Sequence, residues 1–211
     1  MSSKVEICNL ALSRIGHGRS LSSFDELTAE GNYSRQFYDA DRREVLRKHP
    51  WNFAVKVVAL ASSEYDPLYG YLYRYQLPSD CIRPLELTNL ANVTTAVTAI
   101  TGAGELYQIS TSKADNPQVA YRIVGRELMT NMENAELAYV SNEENPNMFS
   151  ESFIGALTYR LAADFAAVIV RNAAMQQSML KLYQIELMDA KGIDASENKA
   201  ADEDTILSVR G

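Results

Sequence analysis

Few residues in this chain are of a type and spacing that could do chemistry. Cys8 and His17 could act as a thiol nucleophile and its base, but no third group accompanies them to orient the imidazole. His17 and His49 stand far apart, and no Cys-x-x-Cys is present, so the spacing of a zinc site is missing. Gly102-Ala103-Gly104 lacks the third glycine and the Lys-Ser/Thr pair of a phosphate-cradling loop. There is no Gly-x-Ser-x-Gly elbow. The acid runs Glu143-Glu144 and Asp202-Glu203-Asp204 lie in polar stretches, where solvation explains them. Asp164 stands out because its neighbours are apolar. It reads either as a buried acid with a displaced pKa or as an ion-pair partner of Arg160, four residues earlier, or of Arg171. The ion pair is the favoured reading. No catalytic residue, metal or cofactor is assigned.

The elements that would position these residues fall into three parts. Val5, Cys8, Leu12 and Ile15 share one helical face, with Ser3 and Glu6 at capping-box spacing and Gly16 and Gly18 as the stop. After a polar linker, Ser20–Leu27, a second helix starts at the N-cap Thr28. Tyr33, Phe37 and Ala40 form one apolar stripe on it, and Tyr38 and Val45 another. Arg42, Arg43, Arg47 and Lys48 crowd its last turns, where they complement the helix dipole and stay solvated. His49-Pro50 breaks the helix, since proline disfavours helical angles in the residue before it. Trp51, the only tryptophan, and Phe53 follow at once. An aromatic pair at a helix exit is read as an anchor, with Tyr38 as its companion.

From Trp51 to about Val140 the period is two. Tyr71–Leu77, Val119–Val124, Glu127–Thr130 and Glu136–Val140 read as strands. Turns fall at Pro78-Ser79-Asp80, Gly125-Arg126 and Asn131–Asn134, and the last three strands suggest an antiparallel meander. Leu85–Leu87 and Leu106–Ile109 are weaker strands flanking a loop at Asn89–Gly104. The tyrosines clustered from Tyr65 to Tyr75 suit either a protein-binding surface or a strand face packed on helices.

A helix from about Ser150 carries Ile154, Leu157, Leu161, Phe165 and Val168 in one stripe and ends near Asn172. A last helix, about Ala174–Ala190, presents Met175, Met179 and Leu182 on one face, and Gly192 ends the packed chain. The expected fold is α+β: a helical bundle built from both chain ends (1–50 and 148–192) with an inserted antiparallel β-rich region (51–147). Residues 193–211 form an extended acidic tail ending in the apolar group Ile206, Leu207 and Val209, with Arg210 beside it.

Composition limits the partners. The chain has 211 residues, two cysteines and a formal charge of -7. Two cysteines make no disulfide framework, and they read as buried free thiols in a reducing compartment. The negative charge argues against a general nucleic-acid binder. No secretory leader is expected, since the first segment is amphipathic and carries Glu6, Asn9 and Arg14, and the apolar run Ala162–Val170 is too short to span a membrane.

Four segments, in order, carry a family resemblance. They are ICNLALSRIG (Ile7–Gly16), Tyr38 with RREVLRKHPWNFA (Arg42–Ala54), YRYQLPSDCIR (Tyr73–Arg83), and the closing helices from Phe153. The chain resembles the tail tubular protein A, or head-to-tail adaptor, family of short-tailed bacteriophages and prophages. The resemblance implies a structural virion protein of the tail or neck, present in the host cytoplasm during assembly, and not an enzyme. It implies a ring, typically a dodecamer, on the portal protein. The ring joins the portal to the next tail component, of the nozzle or tubular protein B type. DNA passes through the lumen without specific binding, and no membrane is involved. The carboxy-terminal segment, here Ile193–Gly211, would reach toward the portal. A head-completion or stopper protein is the alternative, and an enzyme of unknown class a more distant one.

Overall fold

The computed structural model describes the backbone of residues 3–89 and 120–207 and the side chains of 3–88 and 120–193. The fold is α+β with antiparallel sheets, 49% helical and 21% strand. It divides into a helical unit, Met1–Val55 with Asn142–Gly211, and a β-rich unit, Lys56–Ser141.

In the helical unit, α1 spans Lys4–Arg14 and opens with the full reciprocal capping box between Ser3 and Glu6. Gly16 follows at φ 72°, the left-handed angle that ends the helix cheaply. The stretch expected as a polar linker is instead tied down. Asn9 of α1 bonds both backbone groups of Leu21, accepting from its N–H at 2.7 Å and donating to its carbonyl at 2.9 Å. Arg35 donates to the carbonyls of Phe24 and Glu26.

Helix α2 spans Ala29–Lys48, with Thr28 capping through Gly31 N–H and His49 leaving the helix at φ -144°. Its buried face is Glu30, Gly31, Ser34, Tyr38, Asp41, Arg42, Val45 and Leu46. Of the two expected stripes, Tyr38 and Val45 face the core. Tyr33 and Phe37 are only half-buried, stacked on each other at 6.3 Å, and Ala40 is exposed. The core side of α2 is polar enough that an apolar count alone does not find it.

Helix α3, Glu151–Phe165, is capped by Ser150 and packs on α1, α2 and α4. Being covered on several sides, it is apolar nearly all round. With the following turn it has the length and apolarity of a membrane span, yet 56% of that window is buried inside the protein, as in a core helix. The expected stripe holds as far as Phe165. A π-helical turn, Ala166–Val170, then shifts the register and leaves Val168 half-buried. Arg171, not Asn172, takes the left-handed position at φ 57°. Asn172 starts the next helix, its side chain accepting from Met175 N–H at 3.1 Å.

Helix α4 runs Ala173–Leu207. The expected stop at Gly192 and the extended tail beyond it are therefore corrected: the backbone stays helical through Ile206 and Leu207. One glycine inside a helix costs about 1 kcal/mol relative to alanine, and the good helix formers Ala195, Glu197, Lys199, Ala200 and Ala201 follow it. The inward face is also rotated from the expected one, since Tyr183 and Ala190 are buried while Leu182 is 38% exposed.

In the β-rich unit, the strands are β1 Val55–Ala59, β2 Ala61–Ser62, β3 Tyr73–Gln76, β4 Cys81–Asn89, β5 Tyr121–Val124, β6 Glu127–Thr130 and β7 Ala135–Ser141. The β5–β6 hairpin turns at Gly125 (φ 63°), as its sequence predicts. The meander does not continue. β7 joins β1 and β4 in one sheet, ordered β1-β7-β4, while β6 belongs to another, ordered β2-β3-β6-β5. The reason is the alternation itself. Leu128 from β6 and Leu137 and Tyr139 from β7 enter one shared core with Tyr75 and Leu87, which requires two layers. Leu106–Ile109 and the Asn89–Gly104 loop beyond Asn89 lie outside the described residues, as do Val209 and Arg210.

Candidate functional site

The helix-exit aromatics form a closed set. Trp51 is fully buried, and its indole N–H donates to the Val45 carbonyl at 3.0 Å. Its ring meets Phe153 edge-on at 5.1 Å and His49 at 5.1 Å. Phe53, half-buried, contacts Phe149 at 5.6 Å and Phe153 at 5.1 Å, and Phe149 meets Phe153 at 4.7 Å. The anchor thus seats the exit of α2 on the start of α3. Tyr38 is buried but belongs to a different group, edge-on to Phe24 at 5.6 Å with the Lys4 ammonium 5.4 Å from its ring. These contacts place Trp51–Val55 in the helical unit, where the sequence reading began the β-rich part at 51.

Arg42 departs from its expected solvated role. It is 1% exposed. Its guanidinium donates to Asn142 Oδ1 at 3.0 Å and to the Glu143 carbonyl, with Asp39 at 3.4 Å and Glu144 at 3.6 Å. The planar fork suits this convergence of backbone and side-chain oxygens. It fastens the residues after β7 to α2, which is why 142–147 also belong to the helical unit.

One helical turn away from Trp51's carbonyl partner, three carboxylates surround Arg160 of α3. Asp164 lies at 2.9 Å, Glu44 of α2 at 3.1 Å and Asp41 of α2 at 3.4 Å. Asp164 is therefore the ion-pair partner of Arg160, as favoured from the sequence. The deeply buried acid is Asp41, whose side chain is 3% exposed. Burial drives its carboxyl well above the ordinary carboxylate range, against the pull of Arg160 and with the push of Asp164 and Glu44. Tyr183 of α4 closes the group, its buried hydroxyl raised to about 12 by desolvation and by Glu44. Sequence reasoning selected Asp164 for its apolar neighbours and passed over Asp41, which sits between Ala40 and Arg42 in a charged stretch. The only available signal was the period: Ser34, Tyr38, Asp41 and Val45 fall on one face.

Cys8 and His17 do not form a nucleophile–base pair. Burial pushes the Cys8 thiol up to about 12, with Ser34, Asp41 and Lys4 as its neighbours, the opposite of an activated thiolate. His17 Nε2 instead pairs with Glu30 Oε1 at 2.9 Å. Among the described residues no group of three or more His, Cys, Asp or Glu could hold a metal.

The tyrosine cluster splits in two. Tyr75 is buried, bonding the Met132 carbonyl at 3.0 Å, and packs on β4 and β7 residues instead of helices. Tyr65 and Tyr69 are exposed, and each ring carries a guanidinium: Arg74 at 5.1 Å and Arg122 at 4.1 Å. Asp80 of the LPSDCIR turn is held below its ordinary range. Burial opposes this, but Lys56 at 2.9 Å and the Tyr139 hydroxyl at 2.9 Å outweigh it. A shallow cavity of about 480 Å³, lined by residues such as Leu60, Leu77, Pro78 and Arg126, lies beside this turn.

On α4, Leu182, Ile185, Met188 and Ile193 point outward, with Met188 71% exposed. Of the candidate tail residues, Ile206 and Leu207 lie on the helical backbone that continues from this stripe.

No protein-family model matches the chain, and no curated protein matches it significantly.

Proposed function

We propose that this chain is a structural virion protein, a head-to-tail adaptor that forms a ring on the portal and surrounds the DNA channel. The observation that carries this reading is the order of the four segments Ile7–Gly16, Arg42–Ala54, Tyr73–Arg83 and the helices from Phe153. In this reading the helices of both chain ends make one bundle that bears the β-rich insertion. The next tail component docks elsewhere on the ring. The exposed apolar residues Leu182, Ile185, Met188 and Ile193 run up to the carboxy-terminal segment, and a row of exposed large apolar side chains marks an interaction surface that this segment would extend. The acidic charge suits a lumen that repels phosphate and lets DNA slide.

Mixing the purified chain with its cognate portal and imaging the product tests this. Rings on the portal are the expected result, and stable non-association overturns the reading. Deletion of Ile193–Gly211 should abolish portal binding while the circular dichroism spectrum, apart from the lost helix, is retained; binding that survives the deletion gives the segment another role. A head-completion or stopper protein, the alternative reading, would have the same helical ends and a different partner.

A further inference from the structure

Asp41, Asp164, Glu44 and Arg160 raise a question of charge balance that holds independently of the adaptor reading. One guanidinium faces three carboxylates. The groups facing Asp41 from the surrounding elements are Arg160 and Asp164 on α3, Tyr183 on α4, Cys8 on α1 and, on its own helix, Glu44. Only Arg160 among them is cationic. Asp41 Oδ1 turns to Arg160, whereas Oδ2 is buried without a hydrogen-bond partner. Asp41 and Asp164 are neighbours through one guanidinium, their Oδ1 atoms lying 3.4 Å and 2.9 Å from Arg160. Two carboxylates cannot bond each other, since both only accept. A carboxylic acid and a carboxylate can.

We infer that Asp41 and Asp164 hold one proton between them, and that this proton lets α3 keep its grip on α2. With the proton in place, Asp41 Oδ2–H donates to Asp164, the buried orphan oxygen is satisfied, and Arg160 faces two negative charges. Without it, Asp41 and Asp164 repel across the contact between α2 and α3, and the oxygen is left charged, buried and unbonded. The arrangement is a proton-linked latch inside the helical unit.

The sign of the pH effect follows. In the unfolded chain Asp41 ionises at about pH 4; in the folded chain it keeps its proton above that. Between those two points folding takes up a proton, so stability is highest at the acid end and falls as pH rises, by up to ~10-fold in the folded-to-unfolded ratio per pH unit. Stability stops falling from this source once the folded protein has also lost the proton.

Two measurements on the full chain test the latch. First, carbon-13 carboxyl shifts of the native protein are followed across pH. One aspartate is expected to stay protonated well above the ordinary range and to disappear from the spectrum in Asp41→Asn. Ordinary titration of every aspartate overturns the proposal. Second, urea unfolding is followed by Trp51 fluorescence from about pH 5 to pH 8. The wild type should lose ground with rising pH relative to Asp41→Asn, which donates from its amide at the same place and cannot ionise. Parallel profiles overturn the proposal. Should that variant not fold, Asp164→Asn takes its place with its own expectation: the amide it introduces can donate to an ionised Asp41, so its stability should fall less with rising pH than the wild type's, and an equal fall overturns the proposal.

Discussion

Trp51→Ala removes a fully buried indole, its bond to the Val45 carbonyl and its edge contact with Phe153. We expect it to cost about 3–5 kcal/mol, measured by urea unfolding followed by circular dichroism, since the variant has no other tryptophan to report. Trp51 was legible in the sequence because proline, tryptophan and phenylalanine break a helix and anchor its exit in ways that need no tertiary knowledge. Its partners Phe149 and Phe153 were not, because nothing local says which of six phenylalanines lie across from it. Asp41 and Arg42 were illegible for a stronger reason. Both are buried by being paired, and pairing depends on Arg160, Asn142 and Glu143, each about a hundred residues away. A charged side chain reads as solvated until its distant partner is known.

At the scale of the element, caps and turns dominate what sequence can establish. Ser3 with Glu6, Thr28 and the Gly125 turn all act within a few residues of themselves, and all stand where the pattern puts them. The sheet partition was hidden because pairing β7 with β1 and β4 is decided by which side chains share a core. Close packing separates two glycines. A Cβ on Gly31 of α2 would stand 2.1 Å from the Glu26 carbonyl oxygen, which belongs to a backbone held by Arg35. On Gly155 of α3 it would meet the Glu186 carboxylate at 2.4 Å, the free end of a flexible side chain. Gly31→Ala should therefore destabilise by about 1–3 kcal/mol, while Gly155→Ala should cost under about 1 kcal/mol and gain from helix propensity. Chemical denaturation of the two variants side by side checks the difference; equal costs would mean that the loop ahead of α2 yields as easily as a side chain.

At the scale of the whole molecule, a chain of two units is threaded so that the helical unit is discontinuous while the β-rich unit, Lys56–Ser141, is continuous. The sequence changes period at Trp51, whereas the units divide after Val55 and after Ser141, because Trp51 and Arg42 recruit their flanks. Helix α4 is the larger surprise, since an acidic composition suggests an unstructured end while alanine content favours helix. On the proposed adaptor reading, deletion of Ile193–Gly211 is expected to abolish portal binding, checked by imaging the mixture of the deleted chain with the portal. The Arg42 contacts with Asn142 and Glu143 also set a schedule. The ribosome must deliver the entire β-rich unit before α2 can meet the residues that close over it, and α3 comes later still. Until then α1 and α2 meet each other through Cys8, Ser34 and Tyr38, but the faces they turn to α3 have no cover. The newborn chain therefore passes through a stage in which its first two helices lack the cover of α3, and partly folded stages of this kind are the ones chaperones recognise.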